Sequence, residues 1–306
     1  MNFKSNGKIL LTAEYAVLDG AKALALPTKF GQSMEVSLSG SPGIIQWKSL
    51  DANGNTWFET RMQISENGIL SAAHSADKEE KKLVERLEQI LNHCFDKKPG
   101  FFHGKGFTIT TRLDFDRSWG LGTSSTLINN LAQWLEIDAF DLLANTFGGS
   151  GYDLAAAAND QPITYQLGTG KPAVFKADFN PPFQDELFFV YLNRKQNSRQ
   201  AIARYKAQES EIQKLVEKIS GLTEQIMQCE DLPTFELLLN THEALISQAI
   251  ALPQVKNELF PDFPGSIKSL GGWGGDFVLA TGNEQAENYF RNKNYHTIFR
   301  YQDLIL

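Results

Sequence analysis

Trp119-Gly120-Leu121-Gly122-Thr123-Ser124-Ser125-Thr126-Leu127-Ile128 is the stretch that decides how this chain is read. Two glycines allow close approach to the backbone, and hydroxyls at 123–125 follow where a helix reaching about residue 136 begins. The first N–H groups of a helix lack intrahelical acceptors and lie at the positive end of its dipole, so such a segment can receive phosphate. A hydroxyl at Ser124 could also reach a Mg²⁺ ion held by the phosphates. An ordinary serine-capped helix after a glycine turn would carry the same residues. Other phosphate signatures fail on spacing. Gly100-Phe-Phe-His-Gly104-Lys105-Gly106 is one residue short of a Walker loop and lacks the Ser/Thr after Lys105. No Gly-x-Gly-x-x-Gly follows the first strand, which leaves a Rossmann site unsupported.

Upstream of this loop, residues 107–115 alternate, with Phe107, Ile109, Thr111, Leu113 and Phe115 on one face of a strand. Residues 77–95 read as an amphipathic helix whose stripe is Leu83, Leu87, Ile90, Leu91, Cys94 and Phe95. Further strands are predicted over 3–11, 34–38, 44–48 and 56–62, with a hairpin turn at 51–55. Downstream come helices over 140–146 and 153–158, a break at Pro181-Pro182 and a strand over 187–192. Long helices are expected over 201–228 and 234–252, and a glycine loop at 271–275 precedes a strand at 277–281. A helix over 284–292 and a strand over 297–301 finish the pattern. Strands and helices mix without regular βαβ alternation, so the class is α+β, with a boundary near residue 181.

The length of 306 residues suits two domains, and 42% hydrophobic against 21% charged residues excludes wholesale disorder. A net charge of −7 gives no long-range attraction to nucleic acid or anionic lipid, although it leaves room for a small anionic ligand. Two cysteines are too few for a disulfide framework, and five scattered histidines spell no metal site. The first apolar run, residues 9–11, is followed at once by Glu14, unlike a signal peptide. A cytoplasmic protein without nucleic-acid or membrane partners is expected, and a homodimer is compatible with these numbers.

Two further segments carry candidate chemistry. Gly148-Gly-Ser-Gly151-Tyr152-Asp153 puts a carboxylate at a helix start behind small residues. Asp153 there is favourable to the helix by itself, and it could also take a proton from an attacking alcohol. A cation would have to stand nearby, and Lys8 on the first strand, next to Gly7, is a candidate. In Asn193-Arg194-Lys195-Gln-Asn-Ser198-Arg199, three cations and the Ser198 hydroxyl could hold a carboxylate or phosphate, or form a solvated turn.

Taken together, the set resembles the GHMP kinases. Gly7-Lys8-Ile-Leu-Leu-Thr-Ala13-Glu14-Tyr15-Ala-Val-Leu-Asp-Gly20 resembles their first motif, and residues 120–125 their phosphate loop. Residues 148–157 resemble the segment carrying the catalytic Asp, and Ser269-Leu-Gly271-Gly272-Trp273-Gly274-Gly275-Asp276 the C-terminal glycine motif. The four occur in family order, nearest the phosphomevalonate and mevalonate kinase branch: Tyr165-Gln166 and Gly274-Gly275-Asp276 are similar to that branch.

The resemblance implies an N-terminal α+β ATP-binding domain (1–180) and a ferredoxin-like C-terminal domain (181–306), with ATP and substrate between them. It implies that Lys8 and Asp153 are catalytic, that Gly120, Leu121, Gly122, Thr123, Ser124 and Ser125 surround the ATP phosphates, and that Ser124 contacts Mg²⁺. Glu14, Tyr15, Gly272, Gly274 and Gly275 are expected around the substrate, with Lys195 and Ser198. The implied activity is phosphorylation of mevalonate or phosphomevalonate. ATP-dependent decarboxylation of a related substrate, or ligand binding without catalysis, are the alternatives. The chain departs from the pattern at Ala13 and Trp273, and near Leu142, where some members carry a Mg²⁺ carboxylate, Asp141 could substitute but is better read as favouring the start of its helix.

Overall fold

The computed structural model describes residues 1–71, 77–194, 198–207 and 211–306. Its strands are β1 (Asn2–Leu10), β2 (Ala23–Leu38), β3 (Ile44–Leu50), β4 (Thr56–Ser65), β5 (Gly68–Ser71), β6 (Phe107–Leu113), β7 (Ile163–Gln166), β8 (Ala173–Lys176), β9 (Leu187–Tyr191), β10 (Ile267–Leu270), β11 (Phe277–Thr281) and β12 (Ile298–Arg300). The α-helices are α1 (Lys78–Lys97), α2 (Pro99–Phe102), α3 (Thr123–Leu135), α4 (Ala139–Ala144), α5 (Tyr152–Ala157), α6 (Ser198–Lys206), α7 (Ile212–Met227), α8 (Leu232–Ile250), α9 (Val255–Leu259), α10 (Glu284–Asn292) and α11 (Tyr301–Leu304). Among the described residues no helix is long and apolar enough to cross a membrane.

Contacts divide the chain into two units. The first holds Met1–Gly7, Phe30–Arg117 and Gly122–Ala158; the second holds Lys8–Lys29, Ser118–Leu121 and Asn159–Leu306. The expected boundary near Pro181 therefore falls inside the second unit, and no single cut separates the two. Strand β2 serves both, pairing with β7 through residues 23–25 and with β6 through residues 32–38.

In the first unit the strand order is β5-β4-β3-β6-β2, with only the β3–β6 pair parallel. The alternation in β6 holds: Phe107, Ile109, Thr111 and Leu113 are buried. Phe107 and Ile109 pack with α1, α3 and α4 side chains in one core. Phe102, Phe107 and Trp134 meet edge to face at 5.2–6.0 Å, the geometry that aromatic quadrupoles favour. Helix α1 begins at Asp77, whose carboxylate accepts the N–H groups of Glu79 and Glu80. Its buried stripe runs through Val84 rather than Leu83, which lines a cavity instead.

In the second unit β12-β9-β11-β10 form an antiparallel sheet, with α6–α9 between β9 and β10 and α10 between β11 and β12. That is the ferredoxin-like βαββαβ order. Phe188, Val190, Val278 and Ala280 pack against Val255, Phe260 and Phe290 on one face. The helix expected over 201–228 is two helices, α6 and α7. Each helix buries apolar residues of its own, Ala201 and Tyr205 in α6 and Val216, Ile219, Leu222 and Ile226 in α7.

Candidate active site

In the first unit, α3 starts at Gly122, which has φ +95° and gives the helix no side-chain cap. The serine cap open to the sequence is therefore absent, and the first-turn N–H groups of Thr123, Ser124 and Ser125 carry the end of the dipole uncapped by any side chain. Buried polar contacts fix the helix. Thr126 Oγ1 donates to Gln32 Oε1 at 3.0 Å, and Asn130 Nδ2 donates to the Gln32 carbonyl at 3.0 Å. Asn129 Nδ2 donates to Ser5 Oγ at 2.9 Å, and Ser5 Oγ to Asn130 Oδ1 at 2.7 Å. Breaking one would leave a buried polar atom unpaired, so rotation of this helix end is costly.

Beside that end lies a cavity of about 260 Å³, lined among others by Trp57, Phe58, Leu83, Thr123, Ser124 and Phe147. The Arg117 guanidinium stacks 3.6 Å from the Trp57 ring centroid, and Arg86 lies 4.9 Å from that of Phe147. Sequence reading missed this cavity; its one signal was Leu83, an apolar residue at the margin of the α1 stripe. Asp153 occupies the first turn of α5, after Gly151 at φ +85°. Asp141 accepts hydrogen bonds from His93 Nε2 and Lys97 Nζ, both at 2.8 Å, and Lys97 foremost holds its carboxyl below the ordinary range. Two cationic or donor side chains on that carboxylate argue against Asp141 as a Mg²⁺ ligand. Among the described residues no group of three or more His, Cys, Asp or Glu side chains could hold a metal ion.

In the second unit, Lys8 Nζ donates to the Gly120 carbonyl at 3.0 Å, and the Lys8 backbone N–H donates to the Leu121 carbonyl at 3.0 Å. Lys8 is thus tied to the leading half of the glycine loop. Trp119 anchors that half by packing on Phe299, Phe277 and Tyr191 at 5.2, 6.2 and 6.4 Å, while the Tyr191 hydroxyl donates to the Ser118 carbonyl. The carboxylate of Asp276 rests against Gly120 and accepts the Gly272 N–H. Gly272 and Gly275 close a turn through the Gly275 N–H and Gly272 carbonyl at 2.9 Å. Trp273 is buried, and its indole N–H reaches the Pro253 carbonyl at 2.9 Å.

The turn carrying Glu14 and Tyr15 is strained. Ala13 has φ +68°; Tyr15 has φ +61° and ψ −47°, and the Ala16 N–H donates to the Glu14 carbonyl at 2.7 Å. This is a γ-turn of the rare form, which costs of order 1–3 kcal/mol and persists only where the surroundings hold it. They do so here through buried side chains. Glu14 Oε1 pairs with Lys268 Nζ at 2.5 Å, and Lys268 also donates to the Ser269 carbonyl. Glu243 takes the N–H and hydroxyl of Ser269 at 3.1 and 2.8 Å. The Tyr15 oxygen accepts the Trp273 N–H at 3.2 Å.

Burial raises the Glu14 carboxyl against the opposing pull of Lys268, and raises Glu243 to about 7. His242 Nε2 accepts the Ala13 N–H at 2.9 Å, and burial lowers its pKa well below the ordinary value. The imidazole is neutral, so its 3.7 Å approach to Glu14 is not an ion pair. Of the residues expected near substrate, Glu14 is thus occupied by Lys268, and Tyr15 braces the glycine loop. Lys195 lies outside the described residues, and Ser198 opens α6.

No protein-family model matches this chain, and no curated protein matches its sequence. Solved structures do match. L. major mevalonate kinase in complex with R-mevalonate superposes with TM-score 0.68 at 16% identity, over 98% of this chain and 94% of that one. Streptococcus pneumoniae phosphomevalonate kinase with phosphomevalonate and AMPPNP gives 0.65 at 16% identity, over 100% and 98%. Lactococcus lactis galactokinase complexed with galactose gives 0.63 at 14% identity, over 95% and 87%. The likeness extends over nearly the full length in each case: the chain has the fold of the GHMP kinases.

Proposed function

We propose that this protein is an ATP-dependent kinase of the GHMP type acting on a small acid, with mevalonate or phosphomevalonate as the favoured acceptor. The observation that carries the proposal is the 3.0 Å bond from Lys8 Nζ to the Gly120 carbonyl, two residues ahead of the uncapped start of α3. Lys8 thereby holds the backbone of the glycine loop, and α3, which follows in sequence, begins with amide N–H groups that no side chain caps; an ammonium and amide dipoles are the equipment phosphoryl transfer uses. The resemblance to known acceptor-bound kinases supports the acid: two of the similar structures hold mevalonate and phosphomevalonate.

In this reading the N–H groups of residues 122–125 receive the nucleotide phosphates, and the aromatic cavity beside Thr123 and Ser124 takes the base. With a hydroxyl acceptor, Asp153 orients it and accepts its proton, and Lys8 stabilises the developing alkoxide. With a phosphate acceptor no strong base is needed, and Asp153 positions it. A Mg²⁺ ion arriving with the nucleotide phosphates would have Ser124 as its side-chain contact and would contribute charge neutralisation. Two free cysteines, Cys94 buried among them, suit a reducing cytoplasmic setting.

The test is ADP release over mevalonate, phosphomevalonate, homoserine, shikimate, galactose and other simple sugars. Acceptor-dependent ADP release with one of the acids is expected. Carbon dioxide among the products would replace simple phosphorylation by decarboxylation. Nucleotide binding with no acceptor-dependent release across the panel would leave a binding protein and defeat the kinase reading.

A further inference from the structure

The glycine motif ends in a carboxylate that the roles above leave unused. Asp276 follows Gly275 directly and precedes β11, and its side chain turns back onto the glycine loop. A Cβ built on Gly120 would lie 2.3 Å from Asp276 Oδ2 and 3.0 Å from Oδ1, so the carboxylate fills the space where any side chain at 120 would go. Gly120 also has φ +68°, which glycine alone adopts freely. The Gly272 N–H holds the carboxylate from the other side. Lys8, Trp119, Gly120, Gly271 and Asp276 line one small cleft. The groups whose charge is felt at or from Asp276 are the Lys8 ammonium on β1 and the Tyr15 hydroxyl in the γ-turn.

We propose that Asp276 is a positioning residue for Lys8: it clamps Gly120, whose carbonyl receives the Lys8 ammonium, and sets a carboxylate in the same cleft as that ammonium, which holds it in place. The inference rests on the kinase reading for its functional meaning, but its geometry lies wholly within the second unit. Burial raises the Asp276 carboxyl, and Lys8 pulls it back down. An opposite charge in the same cleft favours the charged form of an ammonium, which is the effect the variants below would remove.

Two titrations and one kinetic comparison test this. In D276N, which keeps an oxygen for the Gly272 N–H, the pH midpoint of Lys8 acylation, followed by peptide mass spectrometry, should fall by about one unit. In K8M, which leaves Asp276 in place, the Asp276 midpoint read by carboxyl-carbon NMR should rise. If D276N shows acceptor-dependent ADP release, its kcat should drop about tenfold or more while the Kd for ATP moves less than about threefold. A merely structural role would instead lower the melting temperature without moving either midpoint. Unmoved midpoints in both variants overturn the proposal even if the wild type proves an active kinase. Moved midpoints in a chain that turns over no acceptor would uphold the Lys8–Asp276 coupling and defeat the kinase reading alone.

Discussion

The Glu14–Lys268 pair offers the sharpest test of how the strained turn is held. Both side chains are buried, at 1% and 0% exposure, and joined at 2.5 Å. Lys268→Met removes the cation and leaves the carboxylate without it in an apolar interior. Truncating one partner of a buried pair typically costs about 3–5 kcal/mol, a large share of the roughly 5–15 kcal/mol that holds a domain together. For a chain of this size that corresponds to a fall in Tm of about 5–8 °C. The loss has a ceiling, because Glu14 can take up a proton. Its pKa is already raised by burial, and without Lys268 it rises further. A raised carboxyl pKa adds stability below the unfolded value and gives it up as pH rises through the folded one. The deficit of K268M should therefore be smaller at pH 6 than at pH 8. The double variant E14Q/K268M removes both members of the pair and leaves Glu243, raised to about 7, as the remaining buried carboxyl, so at pH 6 it should recover to within about 2 kcal/mol of wild type. Urea and thermal unfolding of the singles and the double, at both pH values, read these terms directly. A K268M protein within 1 kcal/mol of wild type at pH 8, or a double no more stable than K268M, would refute the account of the pair as the brace.

The remaining outcomes can be read separately. Asp153→Asn should cut turnover about 10²–10⁴-fold with ATP binding retained by calorimetry, and near-normal turnover would remove Asp153 from proton transfer. Trp57→Ala, in the cavity beside Ser124, should weaken ATP binding about tenfold, the size of one lost aromatic stacking contact, with tripolyphosphate binding unchanged. Glu243 is raised from 4.5 to about 7, so its contribution to stability is complete below about 4.5 and lost as pH rises through 7, by up to about 3 kcal/mol. Glu243→Gln should flatten that part of the stability–pH curve, and an unchanged curve would show that the carboxyl titrates normally.

Local patterns were legible where one element's own residues decide its structure. The alternation in β6 and the amphipathic α1 are legible in the sequence because burial on one face imposes period 2 or 3.6 on that segment alone. Strand β2 was not: only residues 34–38 were expected, yet it runs from Ala23 to Leu38. Pro27 and Gly31 within it are residue types that interrupt most strands. The strand changes partners around them, with Pro27 offering its carbonyl to the Leu306 N–H. At Gly31 a side chain would strike the Ser5 carbonyl at 2.2 Å. Both residues mark the place where β2 passes from one unit to the other, a fact set by distant chain segments.

The site divides along the same line. Motif order pointed to Lys8 and to residues 120–125, whereas the partners of Ala13 and Glu14, His242 on α8 and Lys268 on β10, lie more than 220 residues away, with no local pattern to announce them. Deviations from the glycine motifs become intelligible once backbone angles are known. Gly271 and Gly274 have φ of +67° and +66°, and these positions demand glycine; Trp273 is not among the residues with positive φ, so a side chain costs nothing there. Its indole is directed to Pro253 and its N–H to Tyr15, which makes the bulky residue a tie between the glycine loop and the γ-turn. Ala13 is the opposite case, a methyl-bearing residue at φ +68° where glycine would be unstrained. Replacing it by glycine would relieve about 1 kcal/mol of strain, but would give up a buried methyl worth about 0.8 kcal/mol and add freedom to the unfolded chain. These terms nearly cancel, which is why the position tolerates alanine. The hydrogen bond from its N–H to neutral His242 then decides the conformation of the turn.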